Sequence, residues 1–133
     1  MVLIALGGLL GAAARQSIED TLPAHPGSFP VATFVINVGG AFLLGLLLES
    51  LARTGPDTGW WRAARLALGP GFLGAFTTYS TLAVESDLLV RGSHFGTAIG
   101  YMAASVTAGL VAAYAGMATG VRIGQITDQD RPG

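Results

Sequence analysis

The chain has no cysteine, no lysine and little charge of either sign. Without cysteine there is no disulfide framework, no thiolate nucleophile and no thiolate metal ligand. Without lysine all seven basic residues are arginines, and a formal net charge of −1 leaves no cationic footprint for nucleic acid. Charged residues make up 11% of the 133 positions, where a soluble domain carries about 25%. The deficit falls over long apolar stretches, so the missing polar surface faces lipid rather than water. No buried acid/base pair and no cluster of metal ligands can be assembled, and His25 and His94 sit in connecting segments. An enzyme is therefore not expected.

What the chain does have is apolar residues, 51% of the total, and 20 glycines. A helix needs roughly 20 apolar residues to cross the hydrocarbon core, and four segments meet or approach that length: about 2–18, 31–51, 63–90 and 95–121. They form an all-α integral membrane domain over residues 1–121, followed by a polar tail, 122–133, expected to fray. The apolar N-terminus carries no basic residue ahead of it, and Arg15 follows the run. That order suits a retained helix better than a cleavable signal peptide. Pro23, His25, Pro26, Gly27 and Pro30 break the chain between the first two spans. Gly55, Pro56 and Gly59 break it before the third, where Trp60 and Trp61 suit a headgroup-level anchor. Glycines four apart (Gly7 and Gly11, Gly96 and Gly100, Gly116 and Gly120) mark packing seams, because helices in lipid associate by close backbone approach.

The third segment is too long for a straight crossing. It holds Gly69-Pro70-Gly71 and then five consecutive hydroxyl residues, Thr77 to Thr81, near its middle. Proline removes a backbone donor and glycine weakens a helix. Hydroxyls can bond back to the preceding turn and leave a kinked but continuous helix. The alternative is a break, which at this depth requires protein or water to satisfy the freed backbone. Other polar positions within the spans have two readings as well. Asn37, with Thr33 one turn before it, is either interhelical glue or a pore-lining amide. Arg15, near the end of the first span, can snorkel to the headgroups. Tyr101 and Ser105 form a hydroxyl stripe that Gly109 continues without a side chain, and Glu85 reads as interfacial.

Taken in order, Gly7-Gly8 with Gly11-Ala12 and Arg15, then Asn37-Val38-Gly39-Gly40, then Gly71-Phe72-Leu73-Gly74-Ala75-Phe76-Thr77-Thr78-Tyr79-Ser80-Thr81-Leu82, resemble the Fluc (CrcB) fluoride channels. The resemblance runs through all four spans, and the third-segment string is its specific part. It implies four transmembrane helices with the third broken mid-membrane, paired as an antiparallel dimer with two fluoride pores and one central, structural sodium ion. The backbone carbonyls of Gly74 and Thr77 would hold that sodium. Asn37, Thr33, Tyr101 and Ser105 would line the fluoride path, and Arg15 would stand at its vestibule. Tyr79 and Leu82 occupy the positions of the family's two pore phenylalanines; the first ring gains a hydroxyl and the second ring is missing. Gly109 lacks the hydroxyl of the remaining track position.

With the N-terminus on one side, Arg53, Arg62, Arg65, Arg122 and Arg131 share that side, against Arg15 and Arg91 on the other. The positive-inside rule then puts the N-terminus in the cytoplasm. A dual-topology homodimer should show little such bias, so the partner is expected to be either a second copy or an oppositely oriented paralogue. Passive fluoride export from the cell is the leading expectation. The competing classes are a proton-coupled exporter of the small multidrug resistance type, which needs a membrane-embedded carboxylate, and a non-conducting assembly subunit of a heterodimeric channel.

Overall fold

The computed structural model describes residues 1–53 and 58–129; Gly55, Pro56 and Arg131 lie outside the described residues. Helix α1 spans Val2–Thr21 and α2 spans Val31–Arg53. The proline-rich connection between them cannot continue either helix, and α2 starts directly after Pro30, whose carbonyl accepts the N–H of Phe34 at 3.1 Å. The third segment begins earlier than its apolar pattern suggests and comes in pieces: α3 (Gly59–Leu66), a wider π-helical stretch (Ala67–Leu73), the single turn α4 (Gly74–Phe76) and α5 (Tyr79–Arg91). The π-helical stretch contains Pro70. Its extra residue per turn accommodates the ring and the missing N–H without ending the helix.

Helix α6 runs over Phe95–Gln129. Residues 122–129, expected to fray, instead extend this helix. At 1.5 Å per residue its 35 residues measure roughly 52 Å, well beyond the ~30 Å hydrocarbon core, so one end projects past the membrane.

Two parallel helix pairs make the body. Along the first, Gly7 and Gly11 of α1 lie against the carbonyls of Ala67 and Phe72, where a Cβ would collide. Along the second, Gly45 of α2 meets the Ala113 carbonyl and Gly116 of α6 meets the Phe42 carbonyl, equally tightly; further along, Gly120 meets Glu49 and Gly124 meets Arg53. Contact positions rise together in both pairs, and the pairs run opposite to one another, giving an up-down-up-down order. The glycine seams at 7/11 and 116/120 are thus internal. Gly96 and Gly100 have no neighbour within 4 Å of where a Cβ would be, so that seam faces outward from the chain.

Within the bundle Leu89, Ala98 and Tyr101 form a buried cluster, with Phe29, Phe34 and Leu82 packed on it. Phe29 stacks edge-on against both Phe34 and Tyr101, with ring centroids 5.3 and 5.2 Å away. The outer belt is the reverse of a soluble surface. Leu9 and Leu110 are each 69% exposed, with many other large apolar side chains beside them. Among the described residues three helices (α1, α2 and α6) are long and apolar enough to cross a membrane. An apolar outer belt over such helices is the pattern of a lipid-facing surface.

Candidate functional site

The third segment is broken in its backbone. Thr77 (φ −77°, ψ 154°) and Thr78 (φ −147°, ψ 111°) are extended between α4 and α5. In a continuous helix the Thr78 N–H would bond to the Gly74 carbonyl. Here it donates instead to Asn37 Oδ1 at 2.8 Å, and the Thr78 carbonyl accepts from Asn37 Nδ2 at 3.0 Å. This paired geometry fixes which end of the amide is oxygen, because only a carbonyl can meet the N–H and only an NH₂ can meet the C=O. A side chain of α2 thus does for Thr78 what a neighbouring strand would do.

Gly40, one turn along α2, completes the fit: a Cβ there would strike the Thr77 methyl. Beyond the break, Thr78 caps α5. Its Oγ1 accepts from the Thr81 N–H at 3.1 Å and donates to the Thr81 hydroxyl at 2.8 Å. The Thr77 hydroxyl turns the other way and donates to the Leu73 carbonyl at 2.8 Å.

Gly74 and Thr77 line the same groove as Asn37, Gly40 and Arg65, a cleft of about 910 Å³. Gly74 is exposed, and its carbonyl lies outside the i→i+4 ladder for the reason just given. Oxygen donors of this kind suit a hard cation. Among the described residues no group of three or more His, Asp or Glu side chains is placed to hold a metal.

One helical turn from Asn37, Thr33 is almost fully buried, and its hydroxyl donates to Glu85 Oε1 at 2.8 Å. Tyr101, completely buried, donates to Glu85 Oε2 at 2.6 Å. A carboxylate accepting two hydroxyl protons at these distances makes strong, charge-assisted bonds. The sequence suggested that Glu85 was merely interfacial. The structure brings it onto the Thr33–Tyr101 row, because α5 packs antiparallel to both α2 and α6 there. The signal that could have found it was its position on α5, seven residues, or two turns, after Thr78.

Ser105 lies one turn beyond Tyr101 on α6, buried, and its Oγ finds no hydrogen-bond partner among the described residues. Leaving a buried hydroxyl unpaired costs about 1–3 kcal/mol. Tyr79 stands apart, 82% exposed on the outer face beside the break. Leu82 turns inward onto the Tyr101 cluster. Arg15 pairs with Glu19 on α1 at 3.7 Å and is half-buried. The structure therefore joins Asn37 to Thr78 and joins Thr33 and Tyr101 through Glu85, but it brings neither Tyr79 nor Arg15 into that network.

An apolar-belted bundle with a helix opened at its hydroxyl-rich centre, and polar side chains converging beside the opening, defines a small polytopic membrane protein. Comparison with known proteins agrees. Residues 2–117 match the family described as CrcB-like protein, Camphor Resistance (CrcB). A relative named fluoride-specific ion channel FluC 2, from Leifsonia xyli subsp. xyli, is 50% identical over 124 residues, covering 93% of this chain and 85% of that one. The fluoride-specific ion channel FluC of Deinococcus radiodurans is 48% identical over 124 residues, covering 90% and 94%. A fluoride-specific ion channel FluC 2 of Bacillus thuringiensis subsp. konkukian is 42% identical over 120 residues, covering 90% and 95%. The chain belongs to the CrcB family and is a multi-pass protein of the plasma membrane.

Proposed function

We propose that the chain is a subunit of a passive, fluoride-selective channel that lets fluoride leave the cytoplasm, with four membrane crossings and a central sodium ion between two antiparallel subunits. The observation that carries this reading is the buried row Thr33–Glu85–Tyr101 beside a helix break clamped by Asn37. The relatives' names give the ion.

Fluoride is small and strongly hydrated, so a path for it must replace water with compact donors. Hydroxyls already ordered by a carboxylate are such donors: a fluoride arriving beside Thr33 or Tyr101 competes with a carboxylate oxygen for a proton already in place. Ser105, with its unpaired Oγ, supplies a further contact. Asn37 gives one amide hydrogen to Thr78 and keeps a second for an ion. The outward exposure of Tyr79 supports a pore at the boundary with a partner subunit, where a ring edge carries the partial positive charge an anion prefers.

A half-buried carboxylate between helices also meets the one requirement of a proton-coupled exporter, and a single experiment separates the two. Liposomes holding this chain and loaded with fluoride and chloride should release fluoride alone, at equal pH on both sides, as a fluoride electrode reads it. Release that needs a proton gradient would assign the exporter reading instead.

The sodium would be held by the carbonyls of Gly74 and Thr77 from each subunit; it would tie the dimer together without being transported. The support is the freed Gly74 carbonyl on the wall of the 910 Å³ groove. The purified chain should run as a dimer in sodium and fall to monomer when N-methylglucamine replaces it. A dimer indifferent to the cation would remove the sodium, and a monomer under both conditions would assign the partner to a paralogue.

A further inference from the structure

A second cavity lies at the opposite end of Glu85, where the α1–α2 connection meets the α5–α6 turn. It measures about 440 Å³, and its lining includes His25, Gly27, Glu85, Gly92 and His94. Glu85 thus serves two surroundings: its oxygens accept protons from Thr33 and Tyr101, while its side chain also forms part of this outer wall.

His94 is exposed, yet held by its backbone. Its backbone N–H donates to the Leu89 carbonyl at 2.8 Å, and its carbonyl accepts from the Ala98 N–H at 3.0 Å to begin α6. Ser93 before it takes a left-handed conformation (φ 61°), which turns the chain. The imidazole then fits between two glycines from separate connections. A Cβ on Gly27 would collide with the Nε2 edge, and one on Gly92 would stand 3.0 Å from Nδ1. Gly27 is also left-handed (φ 78°), so glycine is required there twice over.

The charged groups around the cavity are few. Glu85 comes from α5, His25 from the first connection and His94 from the second. Outside the lining, Asp87 and Arg91 neutralise each other at 2.6 Å on the exposed side of α5, and Glu19 pairs with Arg15 on α1, beside Asp20. From α6 the titratable group at this end is Tyr101, already bonded to Glu85. With uncharged imidazoles the charge in the lining is that of the Glu85 carboxylate, whose two oxygens are already engaged by Thr33 and Tyr101. Protonated imidazoles offset that charge and reverse the sign of the field, and histidine is the side chain whose ordinary charge change falls between about pH 5 and 8.

We propose that this cavity is an anion-binding antechamber, charged by protonation of His94 and His25, that gathers small inorganic anions at the outer mouth of the Thr33–Glu85–Tyr101 row. For fluoride it rests on the channel reading above. The test compares fluoride release from liposomes at about pH 5.5 and about pH 7.5, at low fluoride and low salt, with leakage from protein-free vesicles subtracted. Release by the wild type should be at least about threefold faster at the lower pH, and in the double variant His25→Gln/His94→Gln the ratio should fall to about one. A wild-type ratio near one, or a double variant that keeps the wild-type ratio, overturns the proposal.

A second measurement covers the case in which the variant does not fold or the chain does not conduct. In wild-type protein carrying ¹⁵N-labelled histidine, sodium fluoride at about pH 5.5 should shift at least one imidazole resonance saturably, while sodium gluconate should not. A chloride shift equal to fluoride's still supports a small-anion site; no shift with either anion overturns it. Absence of fluoride release by the wild type at both pH values counts against the channel reading, and the imidazole titration then decides the antechamber by itself.

Discussion

Replacing Asn37 with leucine is expected to remove both the fluoride conductance and the break in the third segment. The leucine fills similar space but offers neither partner to Thr78, whose N–H and C=O now both bond to the Asn37 amide. Each backbone group left unsatisfied away from water costs about 1–3 kcal/mol. The simplest repair is for Thr78 to return its N–H to Gly74 and make the helix continuous. That repair withdraws the very carbonyl proposed for the sodium site, so one substitution should lower thermal stability, abolish the sodium dependence of the dimer and stop fluoride release together. Asn37→Asp separates the effects. Aspartate still accepts from the Thr78 N–H but cannot donate to the carbonyl, so part of the break should survive, with reduced sodium dependence. Thermal unfolding in detergent, with and without sodium, reads both variants. A leucine variant that keeps the sodium dependence would show that the break holds without its clamp.

Glu85→Ala should be nearly as damaging, and for a different reason. The carboxylate accepts from two buried hydroxyls on two helices, at 2.8 and 2.6 Å. Hydrogen bonds to a charged group contribute about 1.5–3 kcal/mol each, so losing even one corresponds to roughly a ten- to hundredfold effect on whatever step depends on the ordered hydroxyl. With alanine, Thr33 and Tyr101 have no acceptor and their protons point at random, so fluoride release should fall by about that factor. Glu85→Gln keeps the size but offers only one oxygen acceptor; its NH₂ forces one of the two hydroxyls to reverse. Release by the glutamine variant should lie between alanine and wild type. If alanine leaves fluoride release intact, the row Thr33–Glu85–Tyr101 is a packing feature and the ion travels elsewhere. Neither variant touches the Asn37 clamp, so the sodium-dependent dimer should persist in both.

Much of this was legible along the chain because it rests on local chemistry. Proline and glycine at 69–71 and the hydroxyl run at 77–81 disturb a helix wherever they occur, and apolar stretches separated by Pro and Gly mark spans without any knowledge of packing. Asn37 and the hydroxyl stripe stood out as polar positions inside apolar spans, and the family motifs added Gly74 and Thr77 as candidates. The helix ends were less accessible: α3 starts at Gly59, ahead of its apolar pattern, and α6 continues to Gln129 through residues whose polarity suggested a tail.

The sequence alone determined which residues were polar inside an apolar chain and where the third segment was weakest. Only the tertiary structure decided what each polar residue does. Asn37 and Thr78 are 41 residues apart, and Thr33 and Glu85 are 52 apart, so no local pattern links them; they meet because α5 packs antiparallel against α2. For the same reason Glu85 changed from an interfacial acid to the acceptor of two buried hydroxyls, and Gly96 and Gly100 were separated from the glycine seams that close the bundle. A side chain's type is written in one position, whereas its hydrogen-bond partner depends on which helix packing brings beside it.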